Sequence, residues 1–473
     1  MTISAVSCCS ALQSSGLKNI YYPGSDTYEN RTDSYFSVSA QLHPSCIIQP
    51  TSASEVAEIV TALAQATTCN FAIRGGGHTV WPGASNIKDG VTIDLGLMNK
   101  TTYVPETKTA QVQAGSRWRE VYGSLEAYGV TVPGGRTSTV GVAGFLTGGG
   151  NTFYAGRRGF GCDNVINYEG QIVHANATEN PDLFRALKGG SANFGIVTRF
   201  DMQAFEAPEL WGGLVTYPKS TTQQHIEAYV DWTNNIENYQ DGSAITFWTY
   251  DPTAKDIIIT AAYEDTTGAV AAAAFDKFMA IPDQVTSTMR IDTHRNLTIE
   301  LELTSGYRNV WYAITFKNDV RIYTKALELH RKFVEDWKAQ SPDGDFICHA
   351  ILQAIPTIFS EHSVEKGGNM LGLDRESSNA VMFQIQLMVN GADQEKLGRE
   401  RMVAFRETVK QYSVELGGVV DWEYLNYADF TQDPLKTYGE KNIAHIRAVA
   451  SKYDPAGVFQ TRMPGGFKIS KVV

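Results

Sequence analysis

The spacing of apolar positions changes character several times along the first 130 residues. Pro44-Ser45-Cys46-Ile47-Ile48-Gln49-Pro50 predicts a short strand. The segment after it places Val56, Ile59, Val60 and Leu63 at helical spacing, with Ser52 or Ser54 in position to cap that helix. Phe71-Ala72-Ile73 reads as a short buried strand running into a glycine turn. Gly90 to Leu95 and Thr109 to Ala114 alternate with period two, so both predict strands. Gly115 then starts a helix that carries Trp118, Val121 and Leu125 on one side. Near residue 205 the texture changes. Strands are predicted over 212–218, 244–250, 256–263, 311–317, 346–354 and 380–389, and helices near 221–237, 268–280, 320–339 and 394–416. The fold class is α+β: a first α+β unit, then a second in which helices cover an antiparallel sheet.

Alternation along 381–388 puts Met382, Gln384, Gln386 and Met388 on one face of a strand and Val381, Phe383, Ile385 and Leu387 on the other. Two amides and two thioethers make a poor core. The face reads either as a pocket wall, with Gln353 and His349 on a neighbouring strand, or as a solvent-exposed sheet face. Trp211, Trp248 and Trp311 read as core rather than as a substrate platform.

Composition narrows the classes. Of the 473 residues, 43 % are hydrophobic and 19 % charged, which sets the chain apart from disordered sequences and allows two to four domains. Fifty-one acidic residues against 40 basic ones give a net charge of −11, which argues against a large nucleic-acid surface. No apolar stretch approaches the ~20 residues of a membrane span, and no basic run marks an anionic membrane patch. The first two dozen residues do not read as an intact signal peptide. Against that stand six cysteines, four of them (Cys8, Cys9, Cys46, Cys69) in the first 70 residues and spaced for neither zinc nor a redox pair, and N-x-[ST] sequons at Asn30, Asn99, Asn176 and Asn296. The compartment, the oligomeric state and any disulfide pairing stay open.

The candidate chemistry lies in glycine runs. Arg74-Gly75-Gly76-Gly77-His78-Thr79 strips β-carbons from a stretch of backbone and follows it with an imidazole. A nest of bare N–H groups suits a phosphate or diphosphate, and histidine is the side chain most often used as acid, base or nucleophile near neutrality. Alone, the run reads equally well as a simple turn. A second block runs from Val132 to Asn151 and a third from Gly189 to Thr198. Neither fits a dinucleotide GxGxxG nor a P-loop. Three such blocks within about 125 residues exceed what turns require.

In this order the motifs resemble those of the FAD-linked oxidases with the vanillyl-alcohol-oxidase type of flavin domain, and most closely the berberine-bridge-enzyme-like branch in its fungal form. The resemblance runs from about residue 40 to the C-terminus. It rests on Arg74-Gly75-Gly76-Gly77-His78, on Thr139-Val140-Gly141-Val142 leading to Gly148-Gly149-Gly150, and on Leu187-Lys188-Gly189-Gly190 leading to Asn193-Phe194-Gly195-Ile196-Val197-Thr198. Tyr424-Leu425-Asn426-Tyr427 and Lys452-Tyr453-Asp454-Pro455 with Val458-Phe459 complete it.

The resemblance implies a PCMH-type FAD domain formed by both chain ends, residues 1–205 and 418–473, with a substrate domain inserted over 206–417. It implies that FAD is held by Arg74, Gly75, Gly76, Gly77, His78, Thr79, Thr137, Thr139, Val140, Gly141, Gly144, Gly149, Gly150, Asn151, Gly195, Ile196, Val197 and Asn426. His78 would bond covalently to the flavin 8α-carbon, the alternative being a hydrogen bond beside non-covalent FAD. Many relatives add a cysteine link at flavin C6. Thr137 stands at that position here, so one covalent link is expected, and Cys162 reads as a small buried side chain. Val140 matches a position associated with oxygen access. Tyr427 matches the proposed catalytic base, whose phenol needs a hydrogen bond or a cation to accept a proton near neutrality. Gln353, Gln384 and Gln386 are the candidate substrate wall.

The implied activity is oxidation of a C–H next to a hydroxyl or amine, with molecular oxygen as acceptor and a small secondary metabolite as substrate. A carbohydrate oxidase is the alternative. The chain departs from the pattern after Glu169, where several residues usual in the family are missing. A non-catalytic relative that lost flavin through this shortened strand is a further alternative.

Overall fold

The computed structural model describes residues 3–66, 68–170 and 173–473, and for residues 3–7 the backbone only. The architecture is the predicted mixture of helices and sheets. The helix over Ala53–Gln65 is capped by Ser52, whose hydroxyl accepts from the Glu55 amide, and it buries Val56, Ile59 and Leu63. It packs beside a four-stranded sheet ordered Ile20–Tyr21, Cys46–Ile48, Val91–Asp94, Phe71–Arg74, whose last three strands are parallel. A second, antiparallel sheet has the order Thr101–Val104, Thr109–Gln113, Arg199–Gln203, Val165–Glu169, His174–Asn176.

The shortened segment after Glu169 closes as a hairpin. Glu169 pairs with His174 and Tyr168 with Ala175, and the Gly170 amide donates to the Val173 carbonyl at 3.0 Å. This pairing completes the sheet, and residues 171 and 172 lie outside the described ones.

A nine-stranded antiparallel sheet takes up most of the chain between Leu210 and Val420. Its central order is Leu210–Pro218, Asp256–Asp265, Gly242–Asp251, Ile347–Ile355, Ala380–Val389, Arg308–Lys317. Helices Val320–Lys338 and Ala392–Glu415 cover one face. Phe383 stacks on Phe405 there, and Leu387 packs against Gly398. The opposite face is buried as well, since every residue of Ala380–Val389 is buried, so the exposed-face reading of Gln384 and Gln386 is wrong.

The helix predicted over 268–280 reduces to two single turns, Ala273–Phe275 and Asp276–Met279. Its run of alanines has good propensity but too little apolar surface, and only Phe275 and Phe278 anchor it.

The N-terminal helix Ile3–Ser14 is stapled to this core. Adjacent cysteines on it reach different segments, Cys8 bonding Cys69 just ahead of the strand Phe71–Arg74 and Cys9 bonding Cys46 in the strand Cys46–Ile48. The C-terminal segment returns to the first unit. Phe71 donates its amide to the Arg462 carbonyl, and Asn193 Nδ2 donates to the Phe467 carbonyl. Asp454, from the Lys-Tyr-Asp-Pro motif, accepts from the amides of Val458 and Phe459.

Candidate active site

Two of the glycine runs meet backbone to backbone. A Cβ on Gly76 would lie 2.5 Å from the Gly141 Cα, and one on Gly141 would lie 2.4 Å from the Gly76 Cα. No side chain fits between them, which explains the glycine at each position. Arg117, which the sequence reading passed over, ties the loops together by donating to the Gly76 carbonyl at 2.7 Å and to the Thr139 carbonyl. The Trp118 amide bonds the Val140 carbonyl and the Val142 amide bonds the Ser116 carbonyl. Gly77 adopts φ +71°, and a Cβ there would press on the Arg74 guanidinium 2.9 Å away.

The loops floor a cavity of about 300 Å³ that gathers most of the predicted residues. Gly75, Gly76, Gly77, His78 and Thr79 line it from the first loop. Thr137, Val140, Gly141, Gly144 and Asn151 line it from the second, Gly195, Ile196 and Val197 from the third, and Asn426 and Tyr427 from the C-terminal segment. Gln353 and Gln384 contribute from the large sheet. A Cβ on Gly144 or Gly195 would meet no protein atom within 4 Å, so glycine there keeps cavity space open.

Five predicted residues stand elsewhere. Arg74 is fully buried beneath the loop. It pairs with Asp94 at 3.7 Å, lies over the Tyr35 ring and bonds backbone carbonyls of Arg31 and Ser34, so it braces the turn and does not reach a ligand. Gly149 and Gly150 face protein. A Cβ on Gly149 would meet Leu371, one on Gly150 would meet Phe145, and both have positive φ. Gln386 is buried under Trp311 and donates to Asn309 Oδ1. Thr139 lies behind the cavity wall, where its hydroxyl is 3.0 Å from His78 Nε2. His349 is likewise occupied, bonded to Thr249 on the adjacent strand.

His78 stacks on Phe36 with ring centroids 4.6 Å apart. Burial, helped by the nearby Arg117 cation, lowers its pKa to about 3, so the imidazole is neutral at pH 7. Thr139 is its one hydrogen-bond partner among the described residues, which leaves Nδ1 unengaged. Among the described residues no cysteine and no carboxylate lines the cavity. Cys162 is a buried free thiol beside Asp163, and burial raises its pKa well above the ordinary value.

The Tyr-Leu-Asn-Tyr segment organises the other side. The Tyr424 hydroxyl accepts from the amides of Gly150 and Asn151, and burial raises its pKa, so it stays neutral. Asn426 Nδ2 donates to the Phe145 carbonyl, and its Oδ1 occupies the space where a Cβ on Gly148 would sit. Tyr427 stands edge-on to Tyr424 and Trp311, with its hydroxyl 3.4 Å from Arg136 Nη2. Arg136 also donates to Gln353 Oε1, and Gln353 passes a bond to Gln384.

Trp311, read as core, lines the cavity, while Trp211 and Trp248 are buried as expected. Other lining residues had weak signals in sequence. Gly465 and Gly466 form a glycine pair near the C-terminus, and Arg136 directly follows Gly134-Gly135. Among the described residues there is no cluster of three metal-ligating side chains and no helix long and apolar enough to cross a membrane.

Comparison with known proteins agrees with this geometry. A family described as an FAD binding domain matches residues 44–175. The chain is 42 % identical over 472 residues to an FAD-dependent monooxygenase, sdcF, of Emericella nidulans, covering 98 % of each. Among solved structures it resembles a berberine bridge enzyme variant named a reticuline dehydrogenase (TM-score 0.71, 17 % identity, 96 % of this chain and 97 % of that one). It also resembles the glucooligosaccharide oxidase of Acremonium strictum, which carries a 6-S-cysteinyl, 8α-N1-histidyl FAD (TM-score 0.72, 19 % identity, 99 % of each chain). The glycine-lined cavity, the matched FAD domain and the full-length relative together show that this chain belongs to the FAD-linked oxidoreductases with the vanillyl-alcohol-oxidase type of flavin fold, alongside the berberine-bridge-like proteins.

Proposed function

We propose that this protein is an FAD-dependent oxidase that takes hydride from a carbon bearing a hydroxyl or amine, with Tyr427 as the base that receives the heteroatom proton. The observation that carries this reading is the Tyr427 hydroxyl facing the cavity 3.4 Å from the Arg136 guanidinium. At that distance the guanidinium can orient the phenol oxygen toward the proton it would receive.

The lining fits FAD. The loops would present backbone to the diphosphate, no carboxylate among the described lining residues opposes its charge, and a neutral histidine lines the cavity. FAD held there would supply a hydride acceptor, and oxygen the sink for its electrons. We assign His78 Nδ1 to a single covalent link at the 8α-carbon. Nε2 shares its hydrogen bond with Thr139, and Nδ1 is the ring nitrogen with no protein partner among the described residues. Thr137, whose hydroxyl bonds the Leu301 carbonyl, supplies no second link. Residues 1–205 and 418–473 would hold the cofactor and 206–417 the substrate wall.

Ile245, Phe247, Leu301, Leu303 and Ile351 make that wall largely apolar, which favours a secondary metabolite over an oligosaccharide. The two N-terminal disulfides favour maturation in an oxidising compartment.

The name of the Emericella relative favours a second reading, in which oxygen is inserted into the product. Isotopically labelled oxygen separates the two: stoichiometric peroxide with unlabelled product supports the oxidase, and labelled product supports insertion. For the base, we expect Tyr427→Phe to slow anaerobic flavin reduction by about 10²–10⁴-fold while substrate still binds. An unchanged reduction rate would remove Tyr427 from the mechanism.

A further inference from the structure

We propose that Arg136 docks an anionic oxygen of the substrate (a carboxylate, or an acidic phenol or enol), so that the site takes an acidic molecule with an apolar body. This rests on reading the cavity as the reaction site.

Arg136 is the one charged side chain among the described lining residues, since His78 is neutral there. No carboxylate lies within ion-pair distance of it among those residues. Its hydrogen bonds, to Gln353 Oε1 and Tyr427, both use Nη2. A guanidinium carries five N–H donors, and here Nε and Nη1 find no protein partner among the described residues. Neither atom is a sealed-off orphan; both remain accessible from the cavity.

The group is also held in place. Gly134 and Gly135 lie so close under Trp118 that a Cβ on either would sit within 2.4 Å of its ring. The Tyr122 hydroxyl donates to the Gly135 carbonyl. Beyond the guanidinium, Gln353 is braced by Gln384. A pre-set, half-satisfied cation costs solvation free energy until an anion completes it, and a bidentate carboxylate does so best.

A candidate internal partner is Glu264, whose carboxyl feels the Arg136 charge. It is buried on the cavity face of the same sheet, beside Ser243 and Gly212 in register, with Oε2 unpaired. Burial raises its pKa to about 8, opposed only in part by Arg136, so it is mainly uncharged at pH 7 and leaves the guanidinium charge unbalanced. The surrounding wall, including Ile245, Phe247, Leu303 and Trp311, suits an apolar or aromatic body. A neutral sugar would leave the cation unmatched and that wall badly solvated.

The test uses purified holoenzyme with two probes of equal shape, benzoate and benzamide, titrated by calorimetry at pH 7. We expect benzoate to bind at least ~10-fold more tightly, the range of a charge-assisted hydrogen bond. The preference should fall below about twofold in Arg136→Met. Arg136→Lys, which keeps charge but loses the planar fork, should reduce it by about threefold or more. It also serves as the readout if the Met variant fails to fold. Equal affinity for the two probes, no binding of either up to about 10 mM, or a preference that survives both variants overturns the proposal.

Peroxide release separates this from the oxidase reading. Arg136-dependent benzoate binding with no turnover of any acid or alcohol sinks the oxidase and keeps the anchor. Turnover of neutral alcohols with no preference for acids sinks the anchor alone.

Discussion

The crossing of the two glycine loops supports a sharp prediction for Gly141→Ala. Gly141 has an ordinary φ of −79°, so alanine brings no backbone strain and the effect is steric. The new methyl would sit 2.4 Å from the Cα and N of Gly76, against the ~3.5–4.0 Å of a normal carbon contact. The obstacle is backbone, so no side chain can swing aside, and the loops must part by about 1 Å or more. Parting them stretches the Arg117 clamp, whose bonds to the Gly76 and Thr139 carbonyls span the gap.

Overpacking of this kind costs ~1–3 kcal/mol, and weakening one charged hydrogen bond adds ~1.5 kcal/mol, giving a loss of about 3 kcal/mol. At ~2–4 °C per kcal/mol this lowers Tm by roughly 6–12 °C. Flavin content should fall with it, because the cradle is the crossing itself. Differential scanning calorimetry and the ratio of flavin to protein absorbance read both. Gly144→Ala is the control: its Cβ meets no protein atom, so Tm should hold or rise while flavin content drops. A Gly141→Ala protein with full flavin and Tm within about 1 °C of the parent would refute the account of the crossing.

Two further outcomes follow from burial and cross-linking. His78, His294 and His330 have pKa values lowered to about 3, and His225 and His349 to about 4, all chiefly by burial. The unfolded chain takes up these protons near pH 6.5 and the folded one resists, so stability is full above about 6.5 and is lost as pH falls toward 3–4. Chemical denaturation at pH 7 and pH 5 should differ by at least ~4 kcal/mol, and a flat profile between them would contradict the buried-neutral assignment. Replacing Cys9 and Cys46 together by serine opens a 37-residue loop and should cost about 3–4 kcal/mol. An unchanged denaturation midpoint for that variant would show that the helix staple contributes nothing.

Much of this site could be read from the sequence because its determinants are local. A strand that runs into three glycines and a histidine must turn, and the turn must expose backbone, so the loop at 75–78 was legible. Period two assigned Gln384 and Gln386 to one face correctly, but it carries no information on position along the strand. Gln384 reaches the cavity, while Gln386, two residues on, pairs with Asn309 beneath Trp311. The same limit applies to Arg74, where adjacency to the glycines suggested a ligand contact and the chain instead turns the guanidinium inward to Asp94 and Tyr35. Arg117, Arg136 and the pairing of Cys8 and Cys9 were illegible because each depends on partners tens or hundreds of residues away. Gly149 and Gly150 are glycines for packing against Leu371 and Phe145, which a glycine run alone does not distinguish from a cradle.

The central claim is that this cavity holds FAD through His78. The direct test is to precipitate the purified protein with acid, digest the pellet and map flavin-bearing peptides by mass spectrometry. The account predicts a yellow pellet, one modified peptide containing Arg74 to Thr79 with the flavin on His78, and release of flavin into the supernatant for His78→Ala. A colourless pellet from the parent protein, or flavin carried by any other residue, would contradict it.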